Sequence, residues 1–216
     1  MKTNKFSLIE LLVVIAIIGI LASLILPALG KARKQSQQAV CNSQHKQMNT
    51  AIFMYVDDND DYFPAVDHPT SNTWKGWQLY IAEYLSIDIT DRDNFEGSIF
   101  YCPNQENITG TIYQATGTAY NRYFGSNRYY SNGFAFNTFK QLSSIEDSTE
   151  TVTTIDSLDN TDYNTASNTK DSDVGYRHKG GVNVAWVDGH VSWQSTEFMS
   201  AGKNGENHYY YLIDKP

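Results

Sequence analysis

Twenty-four residues from Phe6 to Leu29, FSLIELLVVIAIIGILASLILPAL, contain only Ser7, Glu10 and Ser23 as polar members. As a helix rising about 1.5 Å per residue, the run is roughly 36 Å long and can cross the hydrocarbon core of a bilayer. A secretory signal peptide has a shorter apolar core followed by a small-residue cleavage site. Here the run is longer, and LGKARKQSQQAV continues it with helical character, so the helix is expected to be retained. Its one ionisable group, Glu10, is conspicuous. A charge at bilayer depth is costly and is by default a functional hypothesis.

The helical pattern persists through AVCNSQHKQMNTAIFMYVDDND, where Val40, Met48, Ala51, Ile52 and Tyr55 recur at helical spacing. Asp57–Asp61, with Asn59 among them, should end it. The spacing therefore predicts one helix of about 50 residues that starts apolar and finishes amphipathic. Pro27 removes a backbone hydrogen bond and is expected to kink or locally melt it. Basic residues flank both ends of the apolar run, so the positive-inside rule does not decide orientation. Only five residues precede the run, which places the N-terminus in the cytoplasm and the rest outside.

Charge divides along the same line. Residues 1–34 carry five basic side chains against Glu10 alone, a net of +4, so the remainder of this −8 chain carries −12. A basic end and an acidic body exclude the clustered basic face of a nucleic-acid binder. They suit a solvated domain beside a membrane. The body is rich in Tyr, Asn, Ser, Thr and Gly, which reads as β-leaning and loop-rich. Cys41 and Cys102 are the only cysteines. Two thiols cannot cage a metal unaided. In an oxidising compartment they would form one disulfide tying the helix to the sheet region, the alternative being two free thiols.

Within the body, GWQLYIAEYL reads as a short amphipathic helix with Trp77, Tyr80, Ile81 and Tyr84 on one face. GSIFYCP, TAYNRYFG, GFAFNTF and TETVTTIDS read as strands, and residues 157–175 as a polar surface loop. The strongest signal is RHKGGVNVAWVDGHVSW. Asp188-Gly189 between alternating runs predicts a two-residue type I′ hairpin. That register opposes Val187 to His190 and Trp186 to Val191. It puts Val184, Trp186, Val191 and Trp193 on a core face and Asn183, Ala185, Ser192 and Gln194 on a wet one.

The N-terminal run resembles that of type IV pilins and type II secretion pseudopilins. The match includes Phe6, Glu10 as the fifth residue counted from Phe6 and Pro27 as the twenty-second. The family usually has Gly before the cleavage point, where this chain has Lys5. His178, Asp188 and Gly189 form an H-x9-D-G pattern similar to that near the C-terminus of a bacterial group of pilin-like proteins; CNSQHKQMNTAIFMYVDDNDDYFP and YCP also resemble that group. The resemblance implies cleavage between Lys5 and Phe6 by a prepilin peptidase and methylation of Phe6. It implies pairing of the Glu10 carboxylate with the Phe6 amine of a neighbouring subunit. It also implies an α+β fold, with a long N-terminal helix packed on an antiparallel sheet.

The organisation expected is a leader over 1–5, a transmembrane segment over 6–29, an amphipathic continuation over 30–58 and an extracytoplasmic α+β domain over 59–216. The H-x9-D-G hairpin occupies 178–194 of that domain. His178, Asp188 and His190 invite a catalytic reading, but a straight strand would hold His178 and Asp188 roughly 30 Å apart. Only a bend at Gly180-Gly181 would join them. Backbone-bonded turn residues are the expectation, and no enzyme is inferred. Calcium candidates are Asp57, Asp58, Asn59, Asp60 and Asp61, or Asp156, Asp159, Asn160 and Asp162. Neither set matches an EF-hand, and a solvated acidic loop is the ordinary alternative. Trp74, Trp77, Tyr129 and Tyr130 are either sugar-stacking residues or core.

The expected function is a filament subunit, pilin or pseudopilin, anchored by one inner-membrane pass with its domain in the periplasm or in a cell-surface filament. Its partners are prepilin peptidase, itself and other pilin or pseudopilin subunits, and an inner-membrane assembly platform; no cofactor is implied. The alternative is a membrane-tethered binding module that captures an extracellular polymer without polymerising.

Overall fold

The computed structural model describes residues 7–65, 77–87, 98–104, 117–121, 124–126, 138–157, 165–166 and 174–200. Two compact units are present, Met1–Gln37 and Gln38–Pro216. The first is the N-terminal part of helix α1 (Leu8–Asp58), which runs unbroken for 51 residues. Ser7 caps it. The Leu11 N–H donates to the Ser7 carbonyl at 3.2 Å, and the Glu10 carboxylate reaches back to accept the Ser7 N–H at 2.8 Å. This S-L-I-E contact is the returning arm of a capping box. The local melting expected at Pro27 does not occur, and the helix continues through it. Large apolar side chains from Leu8 to Leu29 are all exposed, Leu8 to 77% and Leu24 to 70%.

The rest of α1 belongs to the second unit. It buries Cys41, His45, Met48, Asn49, Ala51, Ile52 and Val56, mostly spaced three or four apart. Val40 and Tyr55, placed on the buried stripe from sequence, lie respectively exposed and half-buried. Bonding of Cys41, His45 and Asn49 to the body rotates the stripe away from the purely apolar choice. After Asp58 the chain turns. Asp60 and Asp61 adopt left-handed backbone, and the Asp61 N–H closes on the Val56 carbonyl at 3.1 Å.

The body contains α2 (Trp77–Ile81) and strands β1 (Thr118–Asn121), β2 (Gly125–Ser126), β3 (Thr138–Phe139), β4 (Val152–Asp156), β5 (Thr165–Ala166), β6 (Gly181–Trp186) and β7 (Val191–Ser195), followed by α3 (Thr196–Ser200). The main sheet has the order β5-β1-β4-β6-β7, antiparallel at every pairing except β1 with β5. The arrangement is α+β, with the second part of α1 packed on the sheet. Three corrections concern strands. Residues 98–103, expected as a strand ending at Cys102, form turns, with the Tyr101 N–H bonded to the Ser98 carbonyl. The polar stretch 157–175 supplies β5 and a bridge from Ser157 to Val174, so sheet pairing reaches into it.

The third correction is the hairpin register. Ala185 opposes Val191 and Asn183 opposes Trp193, one residue from the expected pairing. The loop has three residues rather than two. The Gly189 N–H donates to the Trp186 carbonyl, the Trp186 N–H donates to His190, and Gly189 sits at φ +94° as the bulge residue. The slip changes which side chains share a face. Val182, Val184 and Trp186 line one buried face with Val152, Ile155, Val174 and Met199. Asn183 and Ala185 line the other with Thr154 and Asp156. That polar face is not wet: it is covered by α1, whose Asn49 donates to the Trp186 carbonyl at 2.8 Å and accepts from the Thr153 hydroxyl at 2.8 Å. A second core, between the end of α1 and α2, gathers Ile52, Val56, Phe63, Trp77, Phe100 and Tyr120.

Gly181 opens β6 where a Cβ would lie 2.3 Å from the Trp193 ring and 2.4 Å from the Gln194 carbonyl. Trp193 is itself pinned, its Nε1–H donating to the His178 carbonyl at 2.6 Å. Gly181→Ala is therefore expected to destabilise the domain by about 1–3 kcal/mol, read as a lower denaturant midpoint at unchanged slope.

Candidate functional site

Four segments bring chemistry-bearing side chains together under α1. His45 comes from the helix, Thr154 and Asp156 from β4, Cys102 from the turns before Asn104, and His178 from the residue before the β6 turn. His178 and Gly181 bond one another through both backbone groups, with Lys179 and Gly180 left-handed between them. This tight turn aims the His178 ring inward.

Asp156 is the hub. Its Oδ1 lies 3.1 Å from His45 Nε2, and its Oδ2 accepts the Asn183 N–H at 2.6 Å and lies 3.5 Å from His178 Nε2. His45 Nδ1 is 2.8 Å from the Thr154 hydroxyl. With Asp156 ionised, His45 Nε2–H donates to it, while Nδ1 pairs with the Thr154 hydroxyl. Cys41 and Cys102 are disulfide-bonded with Cα atoms 5.4 Å apart, and Cys102 Sγ lies 3.5 Å from His178 Nε2. The Asn104 side-chain amide reaches His178 Nδ1 at 3.5 Å.

Burial pushes the Asp156 carboxyl upward, but the His45 hydrogen bond and the charges of His45, His178 and Arg177 more than offset this and hold it below the ordinary carboxylate value. Burial lowers the proton affinity of His178; Asp156 opposes that shift, while Arg177 and His45 reinforce it. Thr154, His45 and Asp156 stand in the order hydroxyl, imidazole, carboxylate. All three are at most 1% exposed, which closes them to any substrate. The cluster is a hydrogen-bonded polar core that fixes the helix on the sheet, beside which the buried Asn183 side-chain amide has no partner among the described residues.

The other sequence-derived positions fall elsewhere. Asp188 is not joined to His178: its carboxylate takes the His190 N–H at 3.0 Å and the His190 ring at 2.5 Å, within the turn that Gly189 completes. Bonding within the turn was expected for Asp188 and His190, whereas His178 reaches across the domain. Asp156 is no loop ligand for calcium, since its oxygens face N–H donors and imidazoles and not the six to eight oxygens calcium takes. Asp159, Asn160 and Asp162 lie outside the described residues, as do Lys5, Phe6, Trp74, Tyr129 and Tyr130. At the helix end, Asp58 accepts from the Tyr84 hydroxyl and Asp61 from the Ser143 N–H, each at 2.9 Å. The Ser143 hydrogen bonds hold the Asp61 carboxyl below its ordinary value. Trp77 is core, 1% exposed.

Sequence reasoning missed His45, Asn49, Thr153 and Thr154. The available signal was position: His45 falls four residues after Cys41 on one helix face, and Thr154 and Asp156 alternate along β4. The second candidate site is the exposed apolar face of α1 with Glu10 near its start. Among the described residues, α1 alone is long and apolar enough to cross a membrane. Comparison of the chain with protein-family models, with curated proteins and with solved structures finds no match.

Proposed function

We propose that this chain is a filament subunit of the pilin or pseudopilin kind, held in a membrane and assembled through the N-terminal part of α1. The observation that carries this reading is the apolar segment Leu8 to Leu29, whose large apolar side chains are all exposed and which bears one carboxylate. Such a surface needs lipid or other helices to cover it. After cleavage between Lys5 and Phe6, a positive amine would stand beside Glu10. A buried charge requires a partner, and a neighbouring subunit's carboxylate supplies one while setting the stagger between helices. The partners are then prepilin peptidase, other subunits and self, and an inner-membrane platform. The α+β domain is the extracytoplasmic part, not an enzyme, and the H-x9-D-G residues serve its fold: His178 in the buried cluster, Asp188 and Gly189 in the hairpin loop.

The Ser7–Glu10 contact favours a second reading. A carboxylate already engaged at its own helix cap needs no neighbour, so the helix could serve as an anchor alone and the domain as a tethered binding module. Processing bears on the choice. Intact-mass measurement of the exported protein is expected to give a chain beginning with N-methyl-Phe6. A mass that retains Met1 to Lys5 would overturn the filament reading.

A further inference from the structure

We propose that, when the Cys41–Cys102 disulfide is reduced, the same residues form a zinc site: Cys41 Sγ, Cys102 Sγ, His178 Nε2 and Asp156 Oδ2. The two sulfurs and the imidazole nitrogen lie within 4.8 Å of one another and all three residues are buried. Asp156, outside that trio but 3.5 Å from the same nitrogen, supplies the fourth ligand. Four separate segments of the fold contribute one ligand each.

The spacing fits a tetrahedral ion. Zinc bonds of about 2.3 Å to sulfur, 2.0–2.1 Å to nitrogen and 2.0–2.2 Å to oxygen put nitrogen and sulfur about 3.5 Å apart and nitrogen and oxygen about 3.4 Å apart. Both observed separations from His178 Nε2 are 3.5 Å. The sulfurs must separate, from bonded contact to about 3.8 Å, and the Asp156 carboxylate must close on them. The cysteine Cα atoms, 5.4 Å apart, permit the separation by rotation about the Cα–Cβ bonds. The surroundings already hold the ligands. Asp156 Oδ1 is engaged by His45, Oδ2 by the Asn183 N–H, and the His178 backbone by Gly181 and Trp193. Outer partners of this kind orient ligands and strengthen a metal site. Two thiolates, one imidazole and one carboxylate in a closed tetrahedral pocket select zinc among abundant divalent ions.

The exchange balances. Reduction delivers two electrons to the S–S bond, and zinc displaces the thiol protons on binding. Oxidation by a small disulfide such as oxidised glutathione removes two electrons from the thiolate pair. It forms the Cys41–Cys102 bond, leaves two glutathione thiolates and releases the ion as Zn2+.

The test uses the full chain in detergent, reduced under argon with a phosphine that is then removed. Native mass spectrometry with zinc, and absorption with cobalt as its stand-in, are read on reduced and oxidised protein. The expected result is one zinc per reduced chain, tetrahedral cobalt bands with thiolate charge-transfer absorption, and loss of both signals when oxidised glutathione is added. His178→Gln should weaken cobalt binding by more than about tenfold, since even outer-shell partners are worth about 10–100-fold. Where reduction alone loosens the fold, zinc is expected to restore its circular dichroism. Equal metal uptake by reduced and oxidised protein, cobalt spectra lacking the thiolate band, wild-type affinity in His178→Gln, or a reduced chain that stays unfolded with zinc would each overturn the proposal.

Discussion

Replacing both cysteines with alanine is expected to cost the domain about 4 kcal/mol of stability. Cys41 and Cys102 close a loop with a sequence separation of 61. On the chain-entropy model a loop of that length removes about 4 kcal/mol of conformational freedom from the unfolded state. Domains of this size are stable by only about 5–15 kcal/mol, so the loss is a large fraction of the whole. The bridge also fixes α1 to the turns at Cys102, beside which Gln44 donates to the Tyr101 carbonyl at 2.9 Å. Denaturant unfolding of the double variant beside the oxidised wild type measures the effect. A difference under about 1 kcal/mol would show that the helix is held by its apolar and polar contacts alone.

Asp156→Ala is expected to cost a comparable amount, about 3–5 kcal/mol, because it leaves two buried imidazoles and the Asn183 N–H without their acceptor. Asp156→Asn keeps the volume and one acceptor, and should cost less. The cluster also makes stability depend on pH. The His178 proton affinity is depressed in the fold, so the unfolded chain binds its proton first. That contribution is complete above about pH 6.5 and is lost as pH falls through the folded value. Asp156 is likewise depressed, and its contribution, complete above about pH 4, is lost as pH falls further. Both act in the same direction. Oxidised wild-type protein should therefore lose stability in two acid steps, the upper absent in His178→Gln and the lower absent in Asp156→Asn. A stability curve flat between about pH 7 and 4 would contradict the assignment.

The long helix was legible because its evidence is local. An apolar run followed by 3.6-residue periodicity and an acidic stop needs no tertiary information, and α1 ends at Asp58 as the Asp57–Asp61 cluster suggests. The strands β4, β6 and β7 were legible for the same reason. Their register was not: an Asp-Gly pair serves both two-residue and three-residue loops, and one residue of difference moves every side chain across the sheet. The buried cluster was illegible because its members are remote in sequence, with His45 and Asp156 111 residues apart. A polar strand face reads as wet until the partner that covers it is known. Here that partner is the face of α1 carrying His45 and Asn49, chosen by hydrogen bonding rather than by apolar periodicity. The Glu10 cap was visible in the four letters S-L-I-E, but the apolar run around it drew attention to the membrane instead.

Filament assembly and a simple anchor make opposite demands on Glu10, and two substitutions separate them. Glu10→Gln retains an oxygen that can accept the Ser7 N–H, so the helix cap survives. Glu10→Val removes cap and charge together. Insertion depends on summed apolarity and should be unimpaired in both. The decisive measurement is the amount of each variant recovered in sheared filaments or crosslinked oligomers from intact cells, relative to wild type. Because pairing with a buried amine requires the charge, both variants are expected to stay in the membrane and be lost from assemblies. Recovery of Glu10→Gln at the wild-type level would contradict charge-directed assembly and leave Glu10 as a helix cap on a membrane anchor.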